Sequence, residues 1–276
     1  MPASSNPRRR SLIVPREHGA WGILLVPLLT GVFAGLRAGG SAGEVAPFGI
    51  LALTLFWLRT PIESWTGTSP IRARTPEEFR LVRSASCTLA AIAFGASIWL
   101  FWGWRNRELL WIGTAAAVAF LLQSVVRRIW RGARGASQMI GAAGLTSTAP
   151  AAFYIVTGRL DATAWVLWAA NLLFAVNQIQ FVQLRIHAAR AASRREKLSA
   201  GRWFLAGQIA VVTAAAVCIG DLFPWYVAIA FLPVLIRGFA WFASKPAPLA
   251  VHALGKSELL YAAIFGVCLA IGIRVP

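Results

Sequence analysis

The run LLWIGTAAAVAFLLQSVV, Leu109–Val126, carries no charged side chain, and Arg127, Arg128 and Arg131 follow it directly. The hydrocarbon core of a bilayer is crossed by a helix of about 20 mostly apolar residues. This run has that length and character, and its basic flank is what a membrane–water boundary attracts. Working outward from it, eight more such runs appear: Ala20–Leu36, Ala46–Leu58, Val82–Trp102, Met139–Val156, Thr163–Leu184, Trp203–Ile219, Phe223–Phe242 and Ser257–Ile273. The second is short and extends at either end. The pattern predicts an all-α, polytopic transmembrane helix bundle of about nine spans. It divides into a short basic N-terminus, residues 1–19, and a single membrane domain, residues 20–276.

Composition agrees. Hydrophobic residues make up 58% of the chain and charged residues 13%, against about 25% charged in a soluble domain. So little polar surface cannot cover a core of this size in water. The net charge of +17 raises nucleic acid as a partner, but the Arg and Lys residues sit in short clusters between apolar runs. They form no exposed face on a soluble platform, and no nucleic acid is expected. Cys87, Cys218 and Cys268 each lie inside an apolar run and read as small buried hydrophobes.

The loops set the orientation. Cytoplasmic loops are rich in Lys and Arg. With nine spans and the N-terminus inside, Arg37, Arg105, Arg107, Arg159 and Arg274 fall outside, and the other 22 of the 27 basic residues fall inside. A wrong span count would flip the downstream loops and spoil this division. The expectation is a bacterial inner-membrane protein with a cytoplasmic N-terminus and an external C-terminus. Arg8, Arg9 and Arg10 then read as an anchor for the first span.

Polar groups within spans are costly and mark function more often than chance. Four places stand out. Glu17 and His18 open the first span, where they either complement the helix dipole or line a cavity. Arg59 and Glu63 close the second span at i, i+4 spacing and pair if the helix continues past Pro61, which otherwise ends or kinks it. Asn177, Gln180 and His187 form a polar stripe at the end of the sixth span, with Arg185 at its edge. They either join helices by hydrogen bonds or face a ligand. Ser257 and Glu258 open the last span, as cap and first-turn acid or as part of a site. All four fall on the cytoplasmic side, which points to a polar, arginine-lined cavity for an anionic head group.

The motif Pro15-Arg16-Glu17-His18-Gly19-Ala20-Trp21-Gly22, with Pro27 in the span that follows, resembles the YwiC-like family of bacterial membrane proteins. Arg59-Thr60-Pro61 and Gly255-Lys256-Ser257-Glu258 are similar to that family too. More distantly, nine spans with long cytoplasmic loops after the second, fourth and sixth resemble the UbiA superfamily of intramembrane prenyltransferases. A basic end to the fourth span, a fifth span led by Gln138, and the polar exit of the sixth continue that likeness. The resemblance implies a UbiA-like scaffold that holds a prenyl diphosphate. The aspartate patterns that bind magnesium there are absent. Of the first pattern only Glu63 is acidic, and Asn177, Gln180, Arg185 and His187 stand where the second would lie.

The expected ligand is therefore an isoprenoid or another anionic amphiphile, held without metal or cofactor. Arg59, Arg128, Gln138, Asn177, Gln180, Arg185 and Glu258 are the candidate binding residues. Glu17, His18, Glu63 and His187 are the candidate acids and bases. The competing reading is a transporter or a lipid-binding or structural membrane protein that performs no chemistry.

Overall fold

A computed structural model describes residues 7–15, 18–69, 71–102, 106–130, 134–190, 193–218, 225–245 and 249–273. Among them every regular element is a helix. In chain order these are α1 (Pro7–Ile13), α2 (His18–Arg37), α3 (Val45–Thr66), α4 (Pro76–Phe101), α5 (Glu108–Ile129), α6 (Arg134–Thr146), α7 (Thr148–Thr157), α8 (Ala162–His187), α9 (Arg194–Cys218), α10 (Trp225–Ala243) and α11 (Val251–Gly272). A 3-10 turn at Ala188–Arg190 follows α8. Seven segments are long and apolar enough to cross a membrane: Gly19–Arg37, Val45–Thr66, Pro76–Phe101, Glu108–Ile129, Gly135–Thr157, Ala162–His187 and Val251–Gly272. Val227–Ala243 is a shorter apolar helix. Each of the nine apolar runs of the sequence falls on one of these helices or on α9.

α2 is the centre of the bundle, and it packs on α7 through glycine. A Cβ at Gly31 would lie 2.2 Å from the carbonyl oxygen of Ala149, one at Gly35 2.7 Å from Val156 Cβ, and one at Gly40 2.3 Å from the Val156 carbonyl oxygen. Small residues four apart let membrane helices approach to backbone contact. The contacts run in one sense, 31 against 149 and 35 against 156, so α2 and α7 are parallel. α11 packs on another side of α2 and is also parallel to it. Gly22 faces Ala262, Gly266 faces Val26, and Arg37 Nη1 at the far end donates to Ile271 O at 2.9 Å. α10 runs antiparallel to α11, with Arg237 on Glu258 and Phe231 on Phe265. α9 returns along α10, from Gly201 beneath Phe242 to Gln208 against Gly238.

Several local expectations change. α3 does not stop at Pro61. It continues to Thr66 and ends on Gly67 at φ 73°, whose N–H donates to Glu63 O. That left-handed cap is cheap only for glycine. The fifth apolar run is broken in two at Ser147. Pro150 has no N–H for the carbonyl four residues back, and Thr146, Ser147 and Thr148 turn their hydroxyls onto the carbonyls of Ala142, Gly144 and Leu145. α11 begins six residues before Ser257, so Ser257 is no cap. Its hydroxyl donates to Leu254 O, and Glu258 lies inside the helix. Cys87 is exposed on α4 and Cys268 half-buried. α4 is a peripheral helix with one main neighbour, α3, so the side chains on its outer face have nothing to be buried against.

Gly31→Ala forces the Ala149 backbone to move and is expected to destabilise the protein by about 1–3 kcal/mol, as overpacking does. Gly95→Ala on α4 meets nothing within 4 Å. It is expected to be neutral or slightly stabilising, since alanine is the better helix former. Thermal unfolding of both variants in detergent measures the difference.

Candidate functional site

Three polar groups lie where the helices converge at the arginine-rich end of the bundle, the end at which α3, α5, α8 and α10 finish. The first joins α3 to α5. Because α3 runs on past Pro61, Arg59 and Glu63 face each other across one turn, with Arg59 Nε 2.9 Å from Glu63 Oε1. Arg127 of α5 brings Nη1 to 3.5 Å from the same oxygen. The Arg59 guanidinium also lies over the ring of Phe120, 5.9 Å from its centroid. The side chains are 15%, 17% and 35% exposed for Arg59, Glu63 and Arg127. They are sheltered but reachable, and two cations share one anion. Arg128 is on the next position of α5 and is exposed.

The second group joins α6 to α8. Gln183 Nε2 donates to Gln138 Oε1 at 2.5 Å, over Gly135, where a Cβ would meet the Gln183 amide at 3.4 Å. His187 is exposed and places Nδ1 2.7 Å from Gln183 O. Arg185 is half-buried, 6.0 Å from the centroid of the Phe181 ring.

The third group is the most deeply buried. Arg237 Nη1 donates to Glu258 Oε2 at 2.5 Å, and the two side chains are 7% and 4% exposed. Arg237 Nη2 donates to Asn177 Oδ1 at 3.4 Å, and Gln178 Nε2 donates to Glu258 O at 2.8 Å. The Arg237 guanidinium is 4.1 Å from the ring centroid of Phe181 and 4.8 Å from that of Tyr261. Arg237 Nε, Glu258 Oε1 and Gln178 Oε1 have no hydrogen-bond partner among the described residues.

The polar residues of α8, the candidates Asn177 and Gln180 among them, therefore reach different neighbours. Asn171 donates to Thr30 of α2, Asn177 and Gln178 meet α10 and α11, Gln180 lies against Gly207 of α9, and Gln183 meets α6. Among the described residues no hydrogen bond or ion pair joins Glu63 to His187. Glu17 lies outside the described residues, and His18 is the first residue of α2. Arg237 carries the third group, yet the charge count treated it as a loop residue. The available signal was a lone arginine inside the run Phe223–Phe242, more than one turn before its end, with one acid in the span that follows.

A buried ion pair is costly to desolvate, and well-packed apolar replacements of both partners are often neutral or stabilising, whereas loss of one partner costs about 3–5 kcal/mol. Arg237→Met alone or Glu258→Leu alone is expected to lower stability by that order, and the double variant to restore most of it. A double-mutant cycle of unfolding in detergent reads this coupling. Additive losses would mean that the two side chains act separately.

A family model described as YwiC-like protein matches residues 14–153, 140 of the chain's 276 residues. No curated protein matches the chain, and no solved structure does. The matched stretch runs from the entry to α2 into α7 and contains Arg59, Glu63, Arg127, Arg128 and Gln138. The Arg237–Glu258 pair lies beyond it. With its long apolar helices the chain is a multi-pass membrane protein, and it belongs to the YwiC-like family.

Proposed function

We propose that this protein crosses the inner membrane nine times, with a cytoplasmic N-terminus and an external C-terminus, and binds an anionic amphiphile of the prenyl-diphosphate kind at its arginine-rich end. Parity requires an odd number of spans, and packing favours nine over seven. α2 and α11 are parallel, so an odd number of crossings separates them. α3, α4, α5, α6–α7 and α8 supply five, and α9 and α10 must then both cross or both stay on one side. α10 lies beside α11 from Glu258 to Phe265, and α9 returns beside α10, which favours crossing. The bias of Lys and Arg toward one set of loops supports the orientation. With Leu222→Cys in a chain stripped of its own cysteines, a membrane-impermeant maleimide is expected to label intact spheroplasts from outside. Labelling only after lysis would return the count to seven.

The observation that carries the binding reading is the pair of guanidinium groups, Arg59 and Arg127, on one oxygen of Glu63. The group bears a net positive charge, keeps unused donors and is partly exposed. Phosphate oxygens are bound well by such forked donors. Arg128 adds a cation at the rim, and the Gln138–Gln183 amides continue the polar seam toward Arg185 and His187. Magnesium held against phosphates takes one or two carboxylates. Here the single carboxylate already faces two cations, so this donor set does not suit a divalent ion. The proposed head-group clamp is therefore arginine, where the UbiA superfamily that the chain resembles uses aspartate and magnesium.

Binding of geranylgeranyl diphosphate to protein in nanodiscs tests the reading, with geranylgeraniol and inorganic diphosphate as the tail-only and head-only probes. Geranylgeranyl diphosphate is expected to bind more tightly than either, without magnesium. Arg59→Gln or Arg127→Gln should each weaken it about 10-fold or more, the scale of one lost hydrogen bond to a charged group. Equal binding of geranylgeraniol, or a requirement for magnesium, overturns the arginine clamp. Release of diphosphate on incubation with a mixed lipid extract would add prenyl transfer to binding.

A further inference from the structure

A second cationic surface adjoins the Arg59–Glu63–Arg127 group but uses none of its three side chains; it lies on the residues between α3 and α4. α1 docks there. Leu12 is fully buried against Ala73 and Val82, and the Trp57 indole N–H donates to Ile13 O at 2.8 Å. Arg8 Nε lies 2.8 Å from Glu78 Oε1, and Arg9 Nη2 lies 2.6 Å from Glu77 Oε2. These contacts engage both acids of the region. Arg10, Arg72, Arg74, Arg80 and Arg83 are exposed and have no carboxylate partner among the described residues.

The loop that presents them is held from both sides. Thr75 caps α4 by accepting from Glu78 N, and Glu78 Oε2 in return accepts from Arg74 N at 2.8 Å. Ala73 N donates to Ser64 O, and the Ala73 side chain is buried under Leu12. With residue 73 turned inward, the extended backbone turns Arg72 and Arg74 outward. Arg80 and Arg83 stand one turn apart on α4. Trp57, Trp65 and Phe79 are exposed around this cluster, as aromatic side chains are at a lipid head-group layer.

We infer that α1, residues 71–75 and the start of α4 form a preorganised binding surface for the phosphodiester head groups of anionic membrane phospholipids. Several arginines fixed on a held loop offer paired N–H donors to phosphate with little further ordering, and the adjacent aromatics place the surface at lipid rather than in open water. Arg194, Arg195 and Arg202 are also exposed, but they stand on the continuous helix α9 rather than on a loop, and they serve as the control of equal charge.

Protein in nanodiscs of equal phosphatidylglycerol and phosphatidylcholine, examined by native mass spectrometry, tests the inference. Each basic residue near an anionic surface contributes roughly a factor of five. Arg72→Gln/Arg74→Gln/Arg80→Gln is therefore expected to lower the retained ratio of phosphatidylglycerol to phosphatidylcholine at least about 10-fold, while Arg194→Gln/Arg195→Gln/Arg202→Gln leaves it within about twofold. An equal fall in both variants, or no fall in the first, overturns the surface. If the glutamine variant does not fold, Arg72→Lys/Arg74→Lys/Arg80→Lys keeps the charge and removes the forked donor. A fall of at least about threefold is then expected, and wild-type retention overturns the proposal. Neither result bears on geranylgeranyl diphosphate at Arg59 and Arg127, which is read separately.

Discussion

The backbone contact of α2 with α7 is the constraint on which the rest of the bundle rests. In a bilayer, apolar side chains gain little by leaving lipid for one another, so helices associate through close packing and hydrogen bonds. Gly31, Gly35 and Gly40 remove the side chains that would hold α2 away from Ala149, Ala152 and Val156. With α2 fixed there, its opposite surface is left for α11, through Gly22 and Gly266, and Thr30 is brought to Asn171 of α8. The peripheral helices are placed only indirectly. α4 leans on α3 and α5 on α6, and large apolar side chains such as Phe94, Trp99, Trp111 and Leu121 remain exposed along them.

A second packing device recurs away from that centre. Glutamine amides lie over glycines of the neighbouring helix: Gln123 over Gly141, Gln183 over Gly135, Gln208 against Gly238 and Gln180 near Gly207. Glycine leaves room for the amide at the helix surface, and a polar amide in lipid is driven to find such room. These contacts link α5, α6, α8, α9 and α10 in sequence around the arginine-rich end. They explain why α8 carries so many amides. Each is directed to a different neighbour, so α8 acts as a polar spine for the helices around it.

The sequence read the helices well because the signal is local. Apolar runs such as Leu109–Val126 follow from the bilayer's thickness and need no tertiary information. Ends were less legible. α3 outruns its apolar stretch by eight residues, because Pro61 is tolerated where helix contacts steady the freed backbone, and α11 begins in the polar residues before Ser257. The Arg59–Glu63 pair was readable from i, i+4 spacing, but Arg127 joins it from 64 residues away. Likewise Arg8 and Arg9 gave no local sign of their partners Glu78 and Glu77. The stripe of Asn177, Gln180 and His187 was correct as a helical face, yet a face does not say which helices surround it. Here several helices do, and the face is divided among them.

Arg8 and Arg9 of α1 pair with acids at the surface; among the arginines on and between the long helices of this end, the share of an acid follows depth in three cases. Arg237, almost fully buried, has Glu258 to itself. Arg59 and Arg127, partly exposed, share Glu63. Arg72, Arg74, Arg80 and Arg83, exposed, have no carboxylate partner among the described residues. Desolvating a charge costs most at depth, so a buried arginine without an acid would not be tolerated, whereas at the surface water and counterions serve. A chain with 27 basic and 10 acidic residues must place its few acids where they matter most. The excess cation is left at the rim and in the half-buried group between α3 and α5. Those are the places where charge is left uncompensated by the chain itself without the cost of burying it in the core, and they are where the proposed anionic head groups would bind.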